Sequence, residues 1–178
     1  IFDYHKGATG RIDPGDFDPI MFGRWFNVWL GTLTCLLMFG LVRRVTASDG
    51  AGIAAAALMA FAQYPVEHSH YCETDIAMLF TLTLALWLCA TAVQSRNPFR
   101  LMIAALACGF AAGTKFPLTA LAPLPLVIGL AGTGRPISIR GLKRGLAYAV
   151  LGAGFFVLGF ILANPLAVTD WNNFRDGL

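Results

Sequence analysis

Charge is scarce in this chain. Asp, Glu, Lys and Arg make up 13% of its 178 residues, whereas 57% are hydrophobic, and the mean hydropathy is +0.65. A soluble domain of this size has too little interior to hide so much apolar surface, so that class is excluded. None of the ten acids lies within an apolar run, which argues against a transporter fragment with a midplane ion site. The four cysteines form no metal or redox pattern. Cys35, Cys89 and Cys108 sit in apolar runs, where small buried thiols are packing residues. Cys72 alone falls in a polar loop, so no intrachain disulfide framework is expected. Internal repeats and low-complexity runs are absent. No basic block exists to form a nucleic-acid surface, because the positive charges are spread over short loops. The chain opens without an initiator Met or a secretory signal, and it reads as an internal piece of a longer protein.

What remains is an all-α polytopic membrane protein. About 20 apolar residues in a helix cross a bilayer core, and six such runs are present: Trp25–Val42, Ala51–Val66, Ile76–Val93, Leu101–Thr114, Pro117–Ala131 and Leu146–Ala163. The second, fourth and fifth are short: they stop below the interface on the side of the acidic cluster, or they form a shallower hairpin around Lys115-Phe116-Pro117. The connections at 43–50, 94–100 and 132–145 hold Arg43, Arg44, Arg96, Arg100, Arg135, Arg140, Lys143 and Arg144, against one acid, Asp49. The positive-inside rule makes these connections cytoplasmic and both chain ends extracytoplasmic. Three units follow: residues 1–24 as the end of a first extracytoplasmic loop, 25–163 as the six-helix core, and 164–178 as an extracytoplasmic segment. Small residues crowd several runs, as at Ala54–Ala57, Gly109, Gly113 and Gly159. Such faces let helices approach closely in lipid. Trp25, Trp29 and Trp171 fall where an aromatic belt would lie.

Three polar features converge on the extracytoplasmic side. The first is Glu67-His68-Ser69-His70-Tyr71-Cys72-Glu73-Thr74-Asp75, with three carboxylates and two of the three histidines in nine residues. Ionisable groups held near a membrane are costly and mark functional sites; the plainer reading is a solvated loop. The second is Lys115, in the break Gly113-Thr114-Lys115-Phe116-Pro117. It needs an anionic partner, Asp75, Glu73 or a lipid phosphate, unless it snorkels to the headgroups. The third is Asn164-Pro165 followed by Asp170-Trp171. Thr74 or Asp75 also suits the cap of the following helix. His68 and His70 with Glu67 or Asp75 have the donor types for a divalent metal, although the His-x-His pattern is weak evidence for one. Axial ligation of a haem or pigment calls for a histidine embedded in a helix, and these read as loop residues.

The run His68–Asp75 before an apolar helix resembles a pattern in the dolichyl-phosphate-mannose–protein mannosyltransferase superfamily, polyprenyl-phosphate-sugar-dependent glycosyltransferases of the GT-C fold. Other matches follow in order. Arg24 and Asn27 open the helix after the first large loop, and Arg43-Arg44 close it. Ala111–Pro117 is similar to the family's Thr-Lys-aromatic break, and Asn164-Pro165-Leu166 with Asp170-Trp171 and Phe174 to its turn after a later helix.

The resemblance implies transfer of a sugar from a polyprenyl monophosphate to a protein or lipid acceptor outside the cytoplasm, with inversion. It implies Asp75 as a supporting acid, His70 beside the site, and Lys115 near the lipid phosphate, with Glu73, His68 and Arg24 as further substrate-binding candidates. The family's principal catalytic acid lies early in the first large loop. Asp3, Asp13, Asp16 and Asp18 lie too near the next helix to match it, so these 178 residues alone are expected to be inactive. A reading from a different class is a non-catalytic transmembrane subunit with a truncated GT-C-like body, partnered by other membrane chains. The expected location is integral to the membrane, a bacterial inner membrane, among lipids.

Overall fold

A computed structural model describes residues 19–69, 74–95, 97–124, 127–128, 139–165 and 169. Among them are six α-helices, α1 (Pro19–Thr46), α2 (Asp49–Phe61), α3 (Gln63–Ser69), α4 (Thr74–Ser95), α5 (Pro98–Thr114) and α6 (Ile139–Ala163), with a 3₁₀ turn at Phe116–Leu121. Of these, α1, α4 and α6 are long and apolar enough to cross a membrane; α2 and α5 are shorter apolar helices. The all-α polytopic reading holds.

Local chemistry sets the helix ends. Arg43 and Arg44 occupy the last turn of α1, where cations suit the negative end of the dipole. The chain reverses through Ala47, whose φ of 54° is left-handed. Ser48 then caps α2 by accepting from the Ala51 N–H, and Asp49 pairs with Arg43 at 2.5 Å. Asn97 caps α5 by accepting from the Phe99 N–H at 2.9 Å, with Pro98 in the first turn, where its missing N–H costs nothing.

Two expected boundaries change. The second span, read as one run to Val66, is two helices, parted at Ala62 in extended conformation. Pro65 explains the restart. It has no N–H to continue α2, but it is tolerated within the first turn of a new helix. Consequently His68 lies on a helix and not in a loop. The fifth span opens as the 3₁₀ turn, and of its remainder the described residues are 122–124 and 127–128.

Contacts give the topology. Gly31 of α1 lies beside Ile76 of α4, and Gly40 beside Trp87, so α1 and α4 run parallel. Helices α4 and α5 are antiparallel: Thr81 meets Thr114 and Cys89 meets Cys108, the two sulfurs 3.5 Å apart. Helices α5 and α6 are parallel, because Gly109 packs on Phe156 and Gly113 on Ala163. A parallel pair joined by one connection requires the chain to travel back between them. Between α1 and α4 that return is made by α2 and α3, which lead from the Arg43–Asp49 pair back to His68 beside Asp75. The core lies on α4 and α5, with Ala85, Cys89, Ala104, Cys108 and Ala111 buried. Large apolar side chains point outward, including Trp25, Leu36, Leu58 and Phe61. That is the pattern of a bundle solvated by lipid rather than water.

Candidate functional site

Asp75, Lys115 and His68 meet at one end of the bundle. Asp75 stands in the first turn of α4, where a carboxylate complements the helix dipole. Its Oδ1 accepts from the Lys115 ammonium. Its Oδ2 lies 3.9 Å from His68 Nδ1, near enough for charge attraction when the ring is protonated and too far for a direct hydrogen bond. The carboxylate side chain is 13% exposed, the lysine 41% and the histidine 24%. The lysine is therefore the wet partner of the pair and the aspartate the dry one.

Each group arrives from a different element. Lys115 is the extended residue (φ −154°, ψ 128°) that ends α5 and leads into the 3₁₀ turn. The Leu118 N–H closes on its carbonyl at 3.0 Å. His68 rides on α3, after the break at Ala62. Helix α6 ends at the same place: Asn164 donates from Nδ2 to the Gly113 carbonyl at 2.8 Å. Thus the lysine break and the Asn164 turn are joined, and Asp75 with His68 stands for the acidic and histidine cluster.

Not every candidate joins them. Arg24 is exposed on α1, about two helical turns before the Gly31 contact with α4. Glu67 is exposed on α3. His70 and Glu73 lie outside the described residues, as do Cys72 and Trp171. Among the described residues no group of three or more His, Cys, Asp or Glu side chains is placed to hold a metal. Three polar residues go beyond the expected set. Asn27 of α1 is buried, 5% exposed, and Thr81 of α4 is 8% exposed. Thr114 touches Thr81 at 3.2 Å between hydroxyl oxygens.

Below Asp75 lies an apolar cleft of about 330 Å³ between α1, the α2–α3 break and α4. Gly31, Thr34, Met59, Pro65, Val66 and Leu79 are among its walls. Gly31 adjoins Ile76, the residue after Asp75, so the cleft approaches the ion pair. At the opposite end of the bundle Arg43 and Arg44 lie over the rings of Phe39 and Trp87. The Gln94 side chain donates to the Arg44 carbonyl there at 2.9 Å.

Chemically, the Asp75 end offers a carboxylate, an imidazole and an ammonium beside an apolar cleft. A carboxylate or imidazole can take a proton from a hydroxyl. An ammonium has three donors and can serve a carboxylate and a phosphate together.

Comparison with known proteins gives one family. No curated protein and no solved structure matches the chain. The family described as dolichyl-phosphate-mannose-protein mannosyltransferase matches residues 10–161, most of the chain. That family is one of polytopic membrane glycosyltransferases using polyprenyl-phosphate sugars, and the apolar helices suit it. This chain, an integral membrane protein with a GT-C-like helical body, belongs to the dolichyl-phosphate-mannose-protein mannosyltransferase family.

Proposed function

We propose that this chain is part of the membrane core of a glycosyltransferase that moves a sugar from a polyprenyl-phosphate donor to a protein or lipid acceptor on the extracytoplasmic face. The observation that carries the reading is the joining of Lys115 to Asp75, with His68 on the second carboxylate oxygen, above an apolar cleft. Polyprenyl-phosphate sugars combine an anion with a long apolar tail. An ammonium at a helix break suits the phosphate, and the cleft suits part of the tail.

Departure of the lipid phosphate builds negative charge on its oxygens, which Lys115 stabilises. Asp75 holds the ammonium in place and is the supporting acid. His68, with His70 beside it in sequence, flanks the acceptor side. Glu73 and Arg24 are assigned to the rim that receives substrate. The positive-inside rule supports an extracytoplasmic site, since Arg43, Arg44 and Arg100 lie at the other end.

The test uses the full-length protein in native membranes, with radiolabelled polyprenyl-phosphate mannose. Substitutions D75N and K115M should each lower transfer by about two to three orders of magnitude, the usual effect of losing a positioned proton-transfer or charge-stabilising group. Wild-type rates in both variants would remove these residues from the site. Absence of transfer by the unaltered full-length chain, with every sugar tried, would overturn the enzyme assignment in favour of an accessory membrane subunit.

A further inference from the structure

We infer that Thr81 and Asn164 are positioning residues that clamp the lysine break and so aim Lys115 at the donor phosphate. The inference rests on the reading of Lys115 given above.

The reason lies in how α5 ends. The last carbonyls of a helix have no intrahelical donor, and in an apolar setting an unpaired carbonyl is costly. Two such carbonyls are satisfied here by side chains. The Thr114 hydroxyl donates to the Ala111 carbonyl at 2.7 Å. The Asn164 amide donates to the Gly113 carbonyl at 2.8 Å. With its proton on Ala111, the Thr114 oxygen can accept only from Thr81, 3.2 Å away on α4, whose single hydroxyl proton it shares with the Ala77 and Met78 carbonyls at 2.9 and 3.0 Å. The two residues directly before Lys115 are thereby tied to different helices: Thr114 to α4, the helix that carries Asp75, and Gly113 to α6.

Both ties are built into the backbone. A side chain at position 113 would meet Asn164 Nδ2 at 2.7 Å, so glycine there gives the amide its access. Asn164 is fixed by its own N–H, which bonds the Phe160 carbonyl at 2.9 Å, and by Pro165, which narrows the backbone choices of the preceding residue. Thr81 is nearly buried, 8% exposed, and stands six residues after Asp75 on the same helix. Shifting Thr81 relative to Thr114 therefore shifts Asp75 relative to Lys115.

The experiment compares T81V, T81S and N164L in the full-length protein in lipid nanodiscs. Valine keeps the shape of threonine without the hydroxyl, and serine restores the hydroxyl. Hydrogen exchange of the 113–118 peptide should speed up about tenfold in T81V and N164L, and stay within about twofold of wild type in T81S. The α1–α2 peptides should be unchanged. With the mannose donor, kcat/KM should fall about tenfold in T81V and N164L and recover in T81S. Neither substitution should lower it further in a K115M background, because residues acting through one another are not additive.

Wild-type exchange at 113–118 in both variants would overturn the inference, whatever the activity. Losses that add fully to that of K115M would overturn it too, by showing a general structural role. If K115M transfers at the wild-type rate, the donor-phosphate reading of Lys115 fails and the aim at that phosphate fails with it. Exchange at 113–118 then reports separately whether the clamp exists.

Discussion

Asp75 and Lys115 form an ion pair with unequal access to water, and that inequality has a measurable consequence. Removing one partner leaves the other charge uncompensated, and the cost rises with how dry the survivor is. The lysine is 41% exposed and the aspartate 13%. K115A strands the drier group and should lower the melting temperature more than D75A does. The double variant D75A/K115A should melt above K115A alone. A melt in which D75A is the less stable single variant would contradict the pairing described. Both residues were legible in the sequence because a charge amid apolar residues stands out. Thr81 was not. A threonine within a helix bonds the carbonyl four residues back, as Thr32, Thr34, Thr83 and Thr91 do here and as Thr81 itself does to Ala77, and nothing in sequence singles out the one that also touches another helix. Asn164 was legible as part of a turn, but its partner Gly113 lies 51 residues away, and periodicity carries no such information.

Glycine sets how closely α5 and α6 pack. At Gly109 the space for a Cβ is occupied by the Phe156 backbone, and at Gly159 by the Leu106 backbone. Backbone cannot rotate aside as a side chain can. G109A should therefore part the helices and destabilise by about 1–3 kcal/mol. Gly154, on the same helix as Gly159, has nothing within 4 Å of its Cβ position. G154A should be neutral or stabilising by up to about 1 kcal/mol. Thermal unfolding in detergent separates the two, and equal melting temperatures would argue against the α5–α6 contact. Ala47 makes the opposite case, an L-residue held at φ 54°. A47G should stabilise by about 1 kcal/mol. Gly109, Gly113 and Gly159 were readable as places of close approach, whereas Gly154 and the exposed Ala54 and Ala57, equally small, are not such places. The partners of the first three were not legible, since a glycine specifies proximity without specifying to what. The break at Ala62 was hidden by an alanine-rich run, and Pro65 signals it only once the helix is known to restart two residues earlier.

The two ends of the molecule differ in charge in a way that α1/α4 and α5/α6 make necessary. Helices α1 and α4 end where Arg43, Arg44 and Ser95 lie, whereas α3, α5 and α6 end where His68, Lys115 and Asn164 lie. The membrane-length helices α1, α4 and α6 were legible from hydropathy, because the bilayer imposes length on sequence. The crossing angles and the cleft were not, because they depend on which faces meet. Alternation also makes sidedness testable with two residues. Gly50 is exposed at the arginine end and Glu67 at the Asp75 end. In a background with all four cysteines replaced by serine, E67C in right-side-out vesicles should react with a membrane-impermeant maleimide. G50C should react only after permeabilisation. Reversed labelling would put the Asp75 site in the cytoplasm and remove the extracytoplasmic assignment while leaving the bundle intact. Labelling of both from one side would break the alternation itself, and with it the convergence of Asp75, Lys115 and Asn164 at one end.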